Sequence, residues 1–296
     1  MKKMTLTIKT MAIALAGVVL LSMNACQSGP KKEKTDKEKE ISILYPNWEE
    51  GIAFTHLAEA ALLDKGYNVE ITPLEPGPIY ASLAKGDADI MMDAWLPHTH
   101  EKYWKKFGDK LEKIGESFSS GTTGLVVPNY VELNSIEDLK ANVDMFDGEI
   151  IGIGSGAGIH GNTEKAIEAY GLDFKQVTSS GPAMQAALKR ATAKKEPIII
   201  TGWKPHFMWS EFDIKYLDDP KGIFPKDVCA IVTRKDFKKE RPVLGEFFSN
   251  FNLNEEQLLS LMTYIRKGDN TEAAAKKWYN DNKATVEAWM PEKMKK

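Results

Sequence analysis

Residues 123–130 read Thr123-Gly124-Leu125-Val126-Val127-Pro128-Asn129-Tyr130, an apolar β run that ends in a polar turn. Residues 228–235 (VCAIVTRK) have the same design. Around these two segments, short β runs alternate with helical stretches. Strands are predicted at 41–45, 69–72, 88–93, 124–127, 150–153, 198–201 and 230–233. Helices are predicted at 52–64, 78–85, 163–170, 182–195, 255–266 and 271–289. Such alternation argues for an α/β protein with parallel sheets. If the chain crosses between two bodies at 123–130 and again at 228–235, one lobe is 41–126 plus 229–296 and the other is 127–228. The cleft between two such lobes is a favoured place for a ligand.

The chain ahead of residue 41 does not belong to that pattern. Residues 1–9 carry Lys2, Lys3 and Lys9 and no acid, and residues 11–23 (MAIALAGVVLLSM) are uncharged and apolar. Such a run makes about 20 Å of helix, short of the roughly 30 Å hydrocarbon core of a bilayer. A basic start, a short apolar centre and the small Ala25 before Cys26 read as an export signal over 1–25. The segment Met23-Asn24-Ala25-Cys26 resembles a bacterial lipoprotein cleavage box, which would leave Cys26 lipidated. Residues 27–40 (QSGPKKEKTDKEKE) lack any hydrophobic residue, so 26–40 is expected to be a lipidated cysteine and a charged tether. Cys229 then has no partner for a disulfide.

Composition excludes several classes. The 296 residues are 43% hydrophobic and 27% charged, which is globular rather than disordered. The 39 basic and 42 acidic residues leave a net charge of −3. Loss of 1–25 removes three lysines, so the exported body carries 36 basic and 42 acidic residues and a net charge of −6. That balance lacks the basic footprint of a nucleic-acid binder. Two cysteines cannot form a disulfide scaffold.

Seven tryptophans stand out. Trp48 follows the strand at 41–45, Trp95 the strand at 88–93, and Trp203 the strand at 198–201. Each is expected just past the carboxyl end of a parallel strand, where ligands bind in open α/β sheets. Trp278 and Trp289 fit the apolar faces of helices, and Trp104 and Trp209 are expected to pack. Indole faces without a nearby carboxylate cluster suit a quaternary ammonium group, which gains up to about 2 kcal/mol per face when desolvated.

A glycine-rich turn, Gly152-Ile153-Gly154-Ser155-Gly156-Ala157-Gly158-Ile159-His160-Gly161, follows a strand and precedes a helix, so its N–H groups can converge on an anion. It contains a formal G-x-G-x-x-G at Gly156, Gly158 and Gly161. The next strand, near 176–179, offers no Asp or Glu for a ribose hydroxyl, so carboxylate capture fits better than a dinucleotide. His98 and His100 stand at i, i+2, with His160 and His206 in other turns; the role of His160 is open. A zinc-binding lipoprotein using His98, His100 and His206 is therefore a second reading. Catalysis finds no G-x-S-x-G, no P-loop and no activated cysteine. Glu49 and Glu50 read as acids at the start of a helix.

These pieces together, NWEEG (47–51), AWLPHTH (94–100), TGLVVPNY (123–130), SIEDLK (135–140), GIGSGAGI (152–159), TGWKPHFMW (201–209) and YLDDPK (216–221), resemble the glycine betaine and proline betaine binding components of ABC transporters. The resemblance runs over most of 41–250. It implies a two-lobed, periplasmic-binding-protein-like fold of type II, each lobe a mostly parallel sheet flanked by helices, with the ligand in the cleft. It implies that Trp48, Trp95 and Trp203 form a prism around a trimethylammonium group. Gly158 and Ile159 would hold the ligand carboxylate through backbone N–H groups, and His100 through its side chain. It further implies an extracytoplasmic, lipid-anchored monomer that delivers a betaine to an ABC permease and ATPase for osmoprotection. Neither cofactor, metal nor catalytic residue belongs to that pattern.

Overall fold

The computed structural model describes residues 39–295. The expected signal, Cys26 and the tether up to residue 38 lie outside that range. Glu40, assigned to the tether from its charge, opens the first strand.

Among the described residues there are nine strands: β1 (Glu40–Tyr45), β2 (Asn68–Pro73), β3 (Ile90–Leu96), β4 (Leu111–Pro128), β5 (Glu149–Ile151), β6 (Lys175–Val177), β7 (Ile200–Lys204), β8 (Ile214–Tyr216) and β9 (Asp227–Arg234). They lie side by side in the order β2-β1-β3-β9-β4-β7-β5-β6, with β8 also on β4. The flanking helices are α1 (Glu49–Asp64), α2 (Pro76–Lys85), α3 (Glu101–Phe107), α4 (Gly158–Tyr170), α5 (Gly181–Lys194), α6 (Pro242–Asn250), α7 (Glu255–Lys267) and α8 (Thr271–Asp281). None of the described helices is long and apolar enough to cross a membrane.

The sheet is mixed. β1 pairs in parallel with β2 and β3, and β5 with β6 and β7, as the alternating pattern implies. The central strands do not follow it: β9 is antiparallel to β3 and β4, and β4 is antiparallel to β7 and β8. Parallel neighbours need crossover connections, which leave a strand–helix alternation in sequence. A long strand running through the middle of a sheet leaves no such trace. β4 pairs with β9 from Leu111 to Gly121, then with β7 from Thr122 to Val126. Its first part, rich in Ser, Gly and charge, has little intrinsic β preference and is interrupted by three register shifts, so only its end at 124–127 is legible in sequence.

The helices start and stop for local reasons. Glu49 and Glu50 occupy the first turn of α1, where acids oppose the positive helix end. Ser180 caps α5 by accepting the Ala183 N–H, and Asn254 with Gln257 closes a capping box on α7. Beneath β1, β3 and β9, Phe54 and Leu57 of α1 pack in one core with Phe247, Phe251, Leu261 and Trp278 from the carboxyl-terminal helices. A smaller core under the other half joins Leu125, Ile136, Ile150, Ala166 and Ile199.

Candidate functional site

Both halves of the sheet present residues to one cavity, lined by Trp48, Glu50, Trp95, Thr99, Thr123, Ile153, Ala157, Gly158, Ile159 and Trp203.

The three tryptophans singled out from sequence do line it, although two stand differently from expectation. Trp48 follows β1 and is the extended residue that precedes α1. Trp95 and Trp203 lie inside β3 and β7, not beyond them, and pair with Cys229 and Thr123. The strands end later than hydropathy indicates, because an indole in a sheet is as well buried as the aliphatic residues before it. Gly121 lets the Trp95 ring approach closely: a Cβ there would stand 2.8 Å from Trp95 Cζ3. Trp203 is braced on two sides. Its indole N–H donates to Glu50 Oε2 at 3.0 Å, and its carbonyl accepts the Trp209 indole N–H at 2.8 Å. Trp209, expected only to pack, thus supports the wall.

Also in the lining, Ala157 precedes α4, and Gly158 and Ile159 are its first two residues. Their N–H groups belong to the set that a helix leaves without internal partners, at its positive end. Only glycine fits at 158, since a Cβ there would lie 2.0 Å from the Thr99 carbonyl oxygen.

His100 does not line the cavity; it lies one ring behind it. Its ring centroid is 5.9 Å from that of Trp48. The Trp95 backbone N–H donates to Nδ1 at 3.1 Å, which assigns the proton of the neutral ring to Nε2. Nε2 is buried and has no partner among the described residues. Burial pushes the His100 pKa down to about 3, so the ring is a neutral donor at physiological pH.

Unspent polarity surrounds the cavity. Glu50 Oε1, Trp95 Nε1, Thr99 Oγ1 and Thr123 Oγ1 are buried without a protein partner, as is His100 Nε2. Buried polar groups are normally paired, and each unpaired one costs about 1–3 kcal/mol. Glu50, Thr99, Thr123, Ile153 and Ala157 are the lining residues that sequence reading missed. For Glu50 a signal existed, since it stands two residues after Trp48, but its place at the start of α1 accounted for it.

The two halves are also tied together around the cavity. The Tyr103 hydroxyl donates to the Gly156 carbonyl at 2.6 Å. Glu49 accepts from Gln185 at 2.9 Å and lies 3.4 Å from His206 Nε2. Burial opposes ionisation of Glu49, but the hydrogen bonds and charge from His206 and the Gln185 amide outweigh it and hold its carboxyl below the usual range.

The histidines of the zinc reading are not brought together. His98 is exposed. His206 accepts the Met208 N–H on Nδ1 and turns Nε2 to Glu49. Among the described residues no group of three metal-ligating side chains occurs. His160 lies in the first turn of α4, its Nδ1 buried without a partner.

One cavity lined by indoles and a helix start, with residues from both halves of the sheet, defines a ligand-binding protein. The particular family follows from the match of residues 39–281 to the OpuAC family, the substrate-binding domain of ABC-type glycine betaine transport systems, and the chain belongs to it. The glycine betaine/carnitine transport binding protein GbuC of Listeria monocytogenes is 39% identical over 145 residues, 47% of this chain. The match spans about half the length of that curated relative, 48%. Lactococcal OpuAC, solved closed and complexed with glycine betaine, is 35% identical with a TM-score of 0.82, over 86% of this chain and 100% of that one. The glycine/betaine/L-proline-binding protein ProX of Borrelia burgdorferi is 32% identical with a TM-score of 0.84, over 87% and 98%.

Proposed function

We propose that this protein is the substrate-binding component of an ABC importer and that it captures glycine betaine or a closely related betaine. The observation that carries this reading is the meeting, in the lining of one cavity, of three indoles and the residues at the start of α4, whose N–H groups lack helical partners. Trp48, Trp95 and Trp203 surround the trimethylammonium group, which has no N–H to leave unpaired. The N–H groups of Gly158 and Ile159 receive the carboxylate; His100 does not line the cavity in this structure, so its Nε2–H joins them only when the ring moves towards the ligand.

The magnitudes suffice. Three desolvated cation–π faces supply about 4–6 kcal/mol, and two or three charge-assisted hydrogen bonds about 1.5–3 kcal/mol each. Lost freedom on association takes back several kcal/mol, which leaves room for a micromolar dissociation constant, near −8 kcal/mol.

In this reading lobe one is 41–126 with 229–296 and lobe two is 127–228, although β4 changes partner from β9 to β7 already between Gly121 and Thr122, which favours a crossing a few residues earlier. The protein acts as a monomer outside the cytoplasm, anchored through lipid on Cys26 to a bacterial membrane. It delivers its ligand to a permease and ATPase for osmoprotection, and it catalyses no reaction. Titration calorimetry with glycine betaine, proline betaine, carnitine and choline tests the ligand; absence of binding at millimolar glycine betaine overturns the reading. Mass spectrometry of the amino-terminal peptide tests the anchor, and an unmodified Cys26 removes it.

A further inference from the structure

Two carboxyl groups lie inside the molecule with fewer partners than they need. Glu50 and Asp93 are both fully buried. Glu50 lines the cavity; Oε2 accepts the Trp203 indole N–H, and Oε1 has no protein partner. Neither oxygen of Asp93 accepts a well-aligned hydrogen bond, although the Cys229 thiol and the Trp95 indole lie beside it and favour its ionised form. The register between β3 and β9 slips between Met91 and Ala94, so Asp93 sits in a β-bulge. Bulges re-aim side chains and recur beside functional sites. This one places Asp93 Oδ2 against Gly51 in the first turn of α1, where a Cβ on Gly51 would lie 2.9 Å from it.

The groups around the pair come from every neighbouring element. From α1 there is Glu49, already engaged by His206 and Gln185. From α2 there is the buried Tyr80 phenol, and from β3 the Trp95 indole. From β7 there is the Trp203 indole. From β9 there are the buried Cys229 thiol and, beyond it, Asp227, which accepts the His98 and Thr99 N–H groups. Lysine and arginine are absent from this set. Two buried carboxyls without a cation do not both ionise. Burial, and for Glu50 also the charge of Asp93, raises both pKa values, that of Asp93 to about 7. Burial and the same two acids keep the Cys229 thiol protonated.

We propose that Glu50 and Asp93 form a proton-binding site coupled to the cavity: when a cationic head group enters the indole cage, the pair loses a proton and becomes its counter-charge. The inference rests on the quaternary-ammonium reading of the cavity. One carboxyl O–H bond breaks, the proton passes to the buffer, and the pair goes from neutral to a single negative charge. Because the bound cation favours the ionised pair, its titration midpoint falls on binding, and affinity rises with pH through the neutral range. The pair titrates as a unit, so the proton belongs to both residues.

The test is calorimetric titration of glycine betaine into the intact protein in buffers of different ionisation enthalpy. Expected are proton release near neutral pH and a dissociation constant about tenfold tighter at pH 8 than at pH 6, the effect of a one-unit pKa change. Asp93→Asn, with its fold checked by circular dichroism, should bind without proton release and with a flat pH profile. Glu50→Gln should likewise lose the release, which covers the case in which Asp93→Asn does not fold. Binding by the wild type with no proton exchange and no pH dependence overturns the inference and leaves the ligand reading standing. Release that persists in both variants traces the proton to another group and overturns the assignment. Absence of binding at every pH overturns both readings.

Discussion

Trp203 and Trp278 are equally hidden, 3% and 1% exposed, yet they belong to opposite kinds of region. The Trp278 indole N–H donates to Ser260 Oγ at 3.0 Å, within a core of Phe, Leu and Met from α1 and the carboxyl-terminal helices. Nearby, Trp289 packs in a tilted arrangement on Phe251, with ring centroids 4.6 Å apart. The region around Trp203 combines indoles with open volume, two buried acids, a neutral buried histidine and several polar atoms that lack partners. Depth of burial does not separate packing from binding here. What separates them is whether the polar groups beside the indole are satisfied by the protein itself.

That contrast can be broken by experiment. Trp278→Ala removes a packed side chain from a closed core and should cost about 3–5 kcal/mol of stability, measured by denaturant unfolding. The fraction that stays folded should bind glycine betaine with unchanged affinity. Loss of binding without loss of stability would reverse the assignment of the two regions.

The acid limb of stability should belong to the cavity region. The native pKa of His100, about 3, lies below the usual histidine value of 6.5, so the native state binds fewer protons than the unfolded chain between these values. Stability therefore falls as pH drops below about 6.5, by up to about 1.4 kcal/mol per pH unit. Asp93 acts with the opposite sign. Its raised native pKa favours the fold at low pH, and that contribution is lost as pH rises from about 4 towards 7. Unfolding of His100→Gln across this range should show a flatter acid limb; an unchanged limb would place the acid sensitivity elsewhere.

Trp203→Ala should weaken betaine binding about 30-fold, the effect of losing one desolvated cation–π face of about 2 kcal/mol. It should destabilise the fold less than Trp278→Ala, because one side of Trp203 already borders open volume. Gly158→Ala sharpens the picture at the other end of the cavity. Its new methyl group would clash with the Thr99 carbonyl, so closure should be hindered and affinity should fall about tenfold, near 1.4 kcal/mol. The melting temperature without ligand should fall as well, because the clash is with backbone rather than with a flexible side chain. The smallest effect is expected for Ser260→Ala, about 1 kcal/mol of stability through loss of the Trp278 hydrogen bond, with no change in binding.

Much of this was legible along the chain, since Trp48, Trp95 and Trp203 stand at the ends of β runs and Gly158 opens a helix. The ends of β3 and β7 were not, because a strand-final tryptophan and a loop tryptophan look alike in hydropathy. The first half of β4 was hidden by its Ser, Gly and charged residues, which only pairing with β9 makes into a strand. Glu50 was explained too early, by the helix it starts.

Local pattern alone determined the α/β alternation, the three indoles and the glycine turn, because periodicity and turn chemistry act over a few residues. Tertiary structure decided which polar groups remain unpaired. A one-residue bulge buries Asp93 beside α1, the Trp95 N–H selects the tautomer of His100, and Trp203 of β7 meets Glu50 of α1. Each of those outcomes joins residues distant in sequence, and the physical reason is that solvation is set by everything that surrounds an atom.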